Sequence, residues 1–218
     1  MKSTVCTTCT SVDFVISEFF LAISCLFIDF PWFNFITQNV SQGNYGYFWR
    51  AVEDNFAHGF LAGLSWLAVI GWKRDFWSSI MQICCCGIMA CALDIDHFVQ
   101  ARSFSLEDAT SLQHRSFAHS MWFIILGTAA CCCVKMLICQ KLLLLSFLPW
   151  LFFVATASHH LRDATRRGLW FWPIGNTPPL PLLIYLQMVL LIPLIVRFLL
   201  QLSRFSHKGV SLSDVLLT

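Results

Sequence analysis

The chain has 218 residues, 57% of them hydrophobic and only 12% charged, with a formal net charge of +2 and a mean hydropathy of +0.68. A soluble domain carries about 25% charged residues, so this composition excludes an ordinary soluble globule and predicts a polytopic membrane protein. There is no basic run, so no nucleic-acid partner is expected; membrane lipids are the expected partners.

Taken in order, the first apolar run covers residues 12–30, holds Glu18 within it, and ends at Asp29-Phe30-Pro31. Lys2 alone is too little charge for the n-region of a cleavable signal peptide. Residues 31–48 read as a loop rich in Gly, Asn and aromatics, which suits a membrane interface. A second span is predicted over 49–72, followed by a polar turn at Lys73-Arg74-Asp75, and a third over 76–97. A polar loop over 98–116 leads to a fourth span at 117–139. Gln140-Lys141 turns the chain into a fifth span at 142–162, which contains Pro149. An irregular aromatic loop follows, and the sixth span is 182–203, with Pro193 as a kink. Each run has the roughly 20 residues a helix needs to cross hydrocarbon. The expected fold is a single all-α domain, a multi-pass bundle of about six transmembrane helices.

Eleven cysteines suggest disulfides by number, but most lie in apolar runs such as Cys84-Cys85-Cys86 and Cys131-Cys132-Cys133. Adjacent helical positions point to different faces and cannot bridge, so these read as small apolar residues. Cys6-Thr7-Thr8-Cys9 lacks the βαβ context of a redox motif.

The polar residues are concentrated. Asp94-Ile95-Asp96-His97 is followed by His114-Arg115-Ser116-Phe117-Ala118-His119 and then by Ser158-His159-His160-Leu161-Arg162-Asp163. Asp54 and His58 stand i,i+4 on one helix face, either as an ion pair or as part of a site. With six spans, all these groups fall at one membrane face. Ionisable side chains at membrane depth are costly and mark functional sites. Carboxylate oxygen and imidazole nitrogen are the ligand set of divalent ions. Asp94, Asp96, His119, His159 and Asp163 are therefore the candidate ligands of a divalent metal, with Zn or Mn expected. His58, His97, His114 and His160 are further ligands or acid–base groups. Arg115 and Arg162 are candidate anion binders, since the guanidinium fork matches phosphate. His114 also reads as an ordinary loop histidine, and Arg166-Arg167 as juxtamembrane charge.

Leu93-Asp94-Ile95-Asp96-His97, His114-Arg115-Ser116-Phe117-Ala118-His119-Ser120 and His159-His160-Leu161-Arg162-Asp163 together resemble the pattern of the bacterial inner-membrane YdjM-like family. That resemblance implies metal-dependent hydrolysis. Ala118 stands where the pattern has threonine, and Arg166 and Gly168 depart from its following threonine and glycine. Over nearly the whole length the chain resembles a eukaryotic family, transmembrane protein 267, best at Asp54 to His58, Asp94 to Ser103 and Ser158 to Pro181. This second resemblance implies a multi-pass membrane protein and no particular activity.

The expected function is metal-dependent hydrolysis of a membrane-associated ester, phosphoesters included. The alternatives are an ion or proton transporter using the same His/Asp chain, and an inactive structural protein. Convergence on one face speaks against a permeation path, which needs polar groups at both.

Overall fold

The computed structural model describes residues 7–29, 44–71, 75–112, 114–137 and 143–207. Its helices are α1 (Thr7–Asp29), α2 (Asn44–Ile70), α3 (Phe76–Ala92), α4 (Ile95–Ala101), α5 (Leu106–Thr110), α6 (Met121–Leu137), α7 (Leu143–Arg167) and α8 (Leu182–His207). A 3-10 turn over Phe117–His119 precedes α6. A two-residue antiparallel hairpin, β1 (Trp170–Phe171) with β2 (Gly175–Asn176), lies between α7 and α8.

Among the described residues, Phe76–Ala101 and Leu182–Ser203 are long and apolar enough to cross a membrane, and Met121–Leu137 is apolar but shorter. Helices α2 and α7 are long too, but each carries charged residues of the site toward one end. The polar turns at Lys73-Arg74 and Gln140-Lys141, most of the loop over 31–48 and the tail beyond His207 lie outside the described residues.

Several boundaries differ from the sequence expectation. Helix α2 begins at Asn44, inside the expected loop. The third span breaks at Leu93-Asp94 and restarts as α4. The fourth begins with a 3-10 turn, so His119 lies ahead of α6 rather than in it. The fifth runs past residue 162 to Arg167, which keeps Asp163 and Arg166 on helix.

Helix α7 is the centre of the bundle and packs against α2, α3, α6 and α8; α2 also packs against α1, α3 and α8. Their shared core includes Leu61, Trp66, Cys86, Ala90, Leu151, Val154, Tyr185 and Val196. Gly59 of α2 and Gly87 of α3 face each other. A Cβ on Gly87 would meet the Gly59 carbonyl oxygen at 2.8 Å, and one on Gly59 would meet Cys91 Sγ at 2.5 Å. Small residues at such crossings let membrane helices approach closely. Cys25, Cys84, Cys85, Cys86, Cys91, Cys131, Cys132 and Cys133 are free thiols. Buried Cys86 points its Sγ at the Ala62 carbonyl, 3.4 Å away. Glu18, the carboxylate inside the first apolar run, has Arg197 of α8 as its electrostatic partner, and Arg197 lies over the Phe14 ring.

Candidate metal centre

The C-terminal part of α7 carries His159 and His160 in succession, with Asp163 one turn beyond His159. Helix geometry puts His159 and Asp163 on one face and turns His160 to another. The break at Leu93-Asp94 brings Asp94 over that face from α3, and the 3-10 turn delivers His119. His159 is fully buried, and His58, His119 and His160 are nearly so.

The ligand atoms of Asp94, His119, His159 and Asp163 converge. His119 Nε2 is 3.5 Å from Asp94 Oδ1, 3.6 Å from Asp163 Oδ2 and 3.2 Å from His159 Nε2. His159 Nε2 is 3.5 Å from Asp94 Oδ1 and 3.8 Å from Asp163 Oδ2. A tetrahedral ion with ligands at its usual bond lengths has ligand–ligand edges of about 3.3–3.4 Å. These five distances lie within a few tenths of that value. Three overlapping triads have ligand atoms within 4.8 Å of one another: His58, Asp94 and His159; Asp94, His97 and His119; and His119, His159 and Asp163.

Asp96 stands behind His119. Its Oδ2 is 3.3 Å from His119 Nδ1 and accepts from Ser116 Oγ, which is itself 3.0 Å from the same ring nitrogen. A carboxylate can only accept here, so Nδ1 carries the hydrogen and Nε2 faces the cluster. This is the carboxylate–histidine arrangement that orients metal ligands. Burial pushes the His119 ring toward neutrality. The hydrogen bonds it donates to Asp94 and Asp96 outweigh burial and hold its pKa up to about 9.

His97 Nδ1 lies 3.1 Å from Asp96 Oδ1 and 3.8 Å from Asp94 Oδ1. His58 stacks on His159 with ring centroids 3.8 Å apart and reaches Asp163 Oδ1 at 3.5 Å. Its contact with Asp54, the pairing read from the sequence, is longer at 4.0 Å. His160 Nδ1 lies 2.7 Å from the Thr156 carbonyl oxygen and must donate to it, while its Nε2 is buried, near the Ser120 backbone and with no side-chain partner among the described residues. His114 is exposed on the loop, where its carbonyl accepts from Gln100.

The two arginines singled out in the sequence occupy different settings. Arg162 is buried and already engaged: Nε donates to Asp29 at 2.9 Å and Nη1 to Asp54 at 2.5 Å. Tyr185 donates to the other Asp29 oxygen at 2.7 Å. Arg166 forms a fork on Asp54 and also reaches Asp163 Oδ1 at 3.1 Å. Arg115 donates through Nη1 to the Gly168 carbonyl and to Asn176, while its buried Nη2 has no partner. Burial draws Arg115 below the usual guanidinium range against the pull of Asp163, but it stays cationic.

Gly168 adopts φ +72°, and a Cβ there would lie 1.8 Å from the Thr177 carbonyl oxygen. The sequence marked Gly168 only as a departure from a motif; the structure uses it to hold the loop that supports Arg115. Asp29, Tyr185 and Ser116 escaped the sequence reading. Asp29 read as a span terminus, Tyr185 as one more apolar residue of its span, and Ser116 lay inside a motif without a role.

A cavity of about 460 Å³ opens beside the cluster, lined by Asp54, Asp94, His97, His114, Arg115, Asp163, Arg166 and Arg167, with Phe48, Val52 and Phe98 on its apolar wall. Two of the central carboxylates therefore face a space large enough for a small-molecule ligand.

Residues 54–217 match the family model described as YdjM inner membrane protein. Among curated proteins, the chain is 36% identical over 198 residues to transmembrane protein 267 of Mus musculus, covering 89% of this chain and 86% of that one. It is 36% identical over 168 residues to the Xenopus laevis protein of the same name, covering 74% and 75%. The Bos taurus protein is 34% identical over 163 residues, covering 68% of each. No solved structure matches. With its apolar helices and these relatives, the chain is a membrane protein that belongs to the transmembrane protein 267 family and, through residues 54–217, to the YdjM inner membrane protein family.

Proposed function

We propose that this protein is a metal-dependent hydrolase of a membrane-associated ester, with its site at one face of a six-span bundle. In this reading α1, α2, α3 with α4, α6, α7 and α8 are the six crossings. The observation that carries the function is that the Nε2 atoms of His119 and His159, 3.2 Å apart, each lie within 3.8 Å of an oxygen of both Asp94 and Asp163. Two carboxylates and two buried imidazoles whose ligand atoms face one another favour a cation between them.

A divalent ion held there, Zn or Mn by donor set, supplies Lewis acidity, which polarises an ester oxygen and makes water a nucleophile near neutral pH. The chain's own residues do the rest. Asp96 and Ser116 hold the His119 tautomer that presents Nε2. His97, beside Asp94 at the cavity wall, is placed to accept a proton from water or return one to the leaving alcohol. Arg115, with its unpartnered Nη2, is placed to bind an anionic group such as phosphate. Hydrolysis places the oxygen of water on the acyl carbon or phosphorus, and the alcohol departs with one of water's protons.

The test is metal content of the protein purified in mild detergent, beside Asp94→Asn and His159→Ala. Wild type is expected to carry a near-stoichiometric divalent ion that both variants lose. Hydrolysis of fluorogenic carboxylic and phosphoric esters should then stop on chelation and return on re-addition of the ion. Folded wild type without metal would overturn the reading.

A further inference from the structure

A second cavity lies on the other side of the His/Asp cluster. It has a volume of about 320 Å³ and sits between α6, α7 and α8. Every residue lining it is apolar except His160, which stands at its inner end. The groove follows α7 from His160 to Phe153 and α8 from Met188 to Ile195, a length of roughly 10 Å along each helix axis. It therefore runs from the depth of the site into the apolar body of the bundle, parallel to the helices. That is also the direction of acyl chains in a bilayer.

The groove adjoins the site across a narrow constriction of about 10 Å³. A small gap lined by Arg115, His119, His160, Asp163 and Leu169 separates the two cavities. It shares Arg115 and Asp163 with the polar cavity, and His160 and Leu169 with the apolar one. At this junction His160 Nε2 is buried, near the Ser120 backbone and with no side-chain partner among the described residues, on a ring whose Nδ1 is fixed by the Thr156 carbonyl. On the opposite wall, Arg115 Nη2 is also buried and unpartnered. A ligand that is anionic at one end and a hydrocarbon chain at the other matches the sequence of environments met along this path.

We infer that the groove between α6, α7 and α8 seats an acyl chain of a membrane lipid whose anionic head occupies the arginine-lined cavity, with the bond to be cleaved lying at Asp163, His119 and His160. The inference rests on the hydrolase reading for its chemistry but not for its binding geometry. An ester that enters from the bilayer need not leave its hydrophobic surroundings, so seating its chain in the groove exposes no hydrocarbon to water.

The experiment uses the full chain in phosphatidylcholine vesicles containing a single-chain, phosphate-headed lipid with a photoactivatable diazirine midway along the chain. Label is expected on residues 121–125, 153–161 and 188–195. Leu191→Trp and Ile125→Trp each fill the groove from an exposed position and should lower labelling at least fivefold. Ile88→Trp, exposed on α3 and outside the groove, should leave it unchanged. Label spread evenly over lipid-facing residues such as Leu183 and Phe198, unmoved by both groove variants, would overturn the inference and identify surrounding lipid only. Metal content measured on the same samples separates the two readings. Full metal without groove labelling overturns the chain seat alone, and groove labelling without metal overturns the hydrolase alone.

Discussion

The Nε2 atoms of His119 and His159 lie 3.2 Å apart, although forty residues separate the two rings. Asp96 holds one hydrogen of His119 on Nδ1, which turns Nε2 toward His159. Asp94 Oδ1 is 3.5 Å from both nitrogens. Two imidazoles and a carboxylate meet there at a point that only a proton or a metal ion reconciles. The loop that brings His119 to this point is held by side chains of its own, above all Ser116 on Asp96.

Asp96 acts through His119, which gives it a signature distinct from that of the ligands. Asp96→Asn should leave the fold and the metal stoichiometry intact and weaken metal affinity 10–100-fold. Competition with a chelator of known affinity reads this directly. Asp94→Asn removes a donor and should abolish binding in the same assay. Equal losses in the two variants would make Asp96 a ligand, as its position in the sequence first indicated.

Metal affinity should rise with pH. Hydrogen bonds donated to Asp94 and Asp96 hold the metal-free His119 ring up to about 9 despite its burial, so at neutral pH the free site carries a proton on Nε2. Each ion bound must expel that proton. The apparent association constant is therefore expected to grow about tenfold per pH unit between pH 6 and 8, flattening as pH approaches 9. Calorimetric titration in two buffers of different ionisation enthalpy should show one proton released at pH 7. No proton release would mean that His119 is neutral or is not a ligand.

How much of this was legible in the sequence follows from what each signal depends on. Asp94, His119, His159 and Asp163 stood out because charged groups in apolar runs are rare, and their placement at one end followed from counting spans. The division of labour among them did not. Asp94 and Asp96 are two residues apart and look equivalent, and only the helix break at Leu93-Asp94 sends one to the cluster and the other behind His119. Arg115 and Arg162 likewise look equivalent as anion binders. Their difference lies in Asp29 and Tyr185, which are 133 and 23 residues from Arg162 along the chain. Local spacing carries no information about partners at such separations.

The crossing of α2 and α3 should be intolerant of side chains. A Cβ at Gly87 already meets backbone at 2.8 Å, and backbone cannot rotate away as a flexible side-chain end can. Gly87→Val should separate the helices and destabilise by about 1–3 kcal/mol, the usual cost of overpacking. Because Asp54 and His58 ride on α2, the loss should extend to metal retention. Thermal unfolding in detergent with a parallel metal assay checks both, and an unchanged midpoint would show that the crossing relaxes without cost.

Arg162 has two roles to be told apart, an anion binder and a tie between helices. In the structure its guanidinium is spent on Asp29 and Asp54, within a network that ties α1, α2, α7 and α8 together through Tyr185. Arg162→Leu should cost about 3–5 kcal/mol, because it leaves the Asp29 carboxylate buried and uncompensated. Arg166 continues to hold Asp54, so that carboxylate loses less. Arg162→Lys should recover only part, since one ammonium cannot fork between two carboxylates. Arg162→Leu combined with Asp29→Leu and Tyr185→Phe should recover most of the loss, because a buried ion pair replaced whole by apolar residues is close to neutral. Unfolding midpoints across this series, read beside phosphate binding by the folded variants, decide between the two roles. A structural tie predicts a stability ladder with phosphate affinity unmoved. An anion binder predicts the reverse, with Arg162→Leu as stable as wild type and unable to hold phosphate.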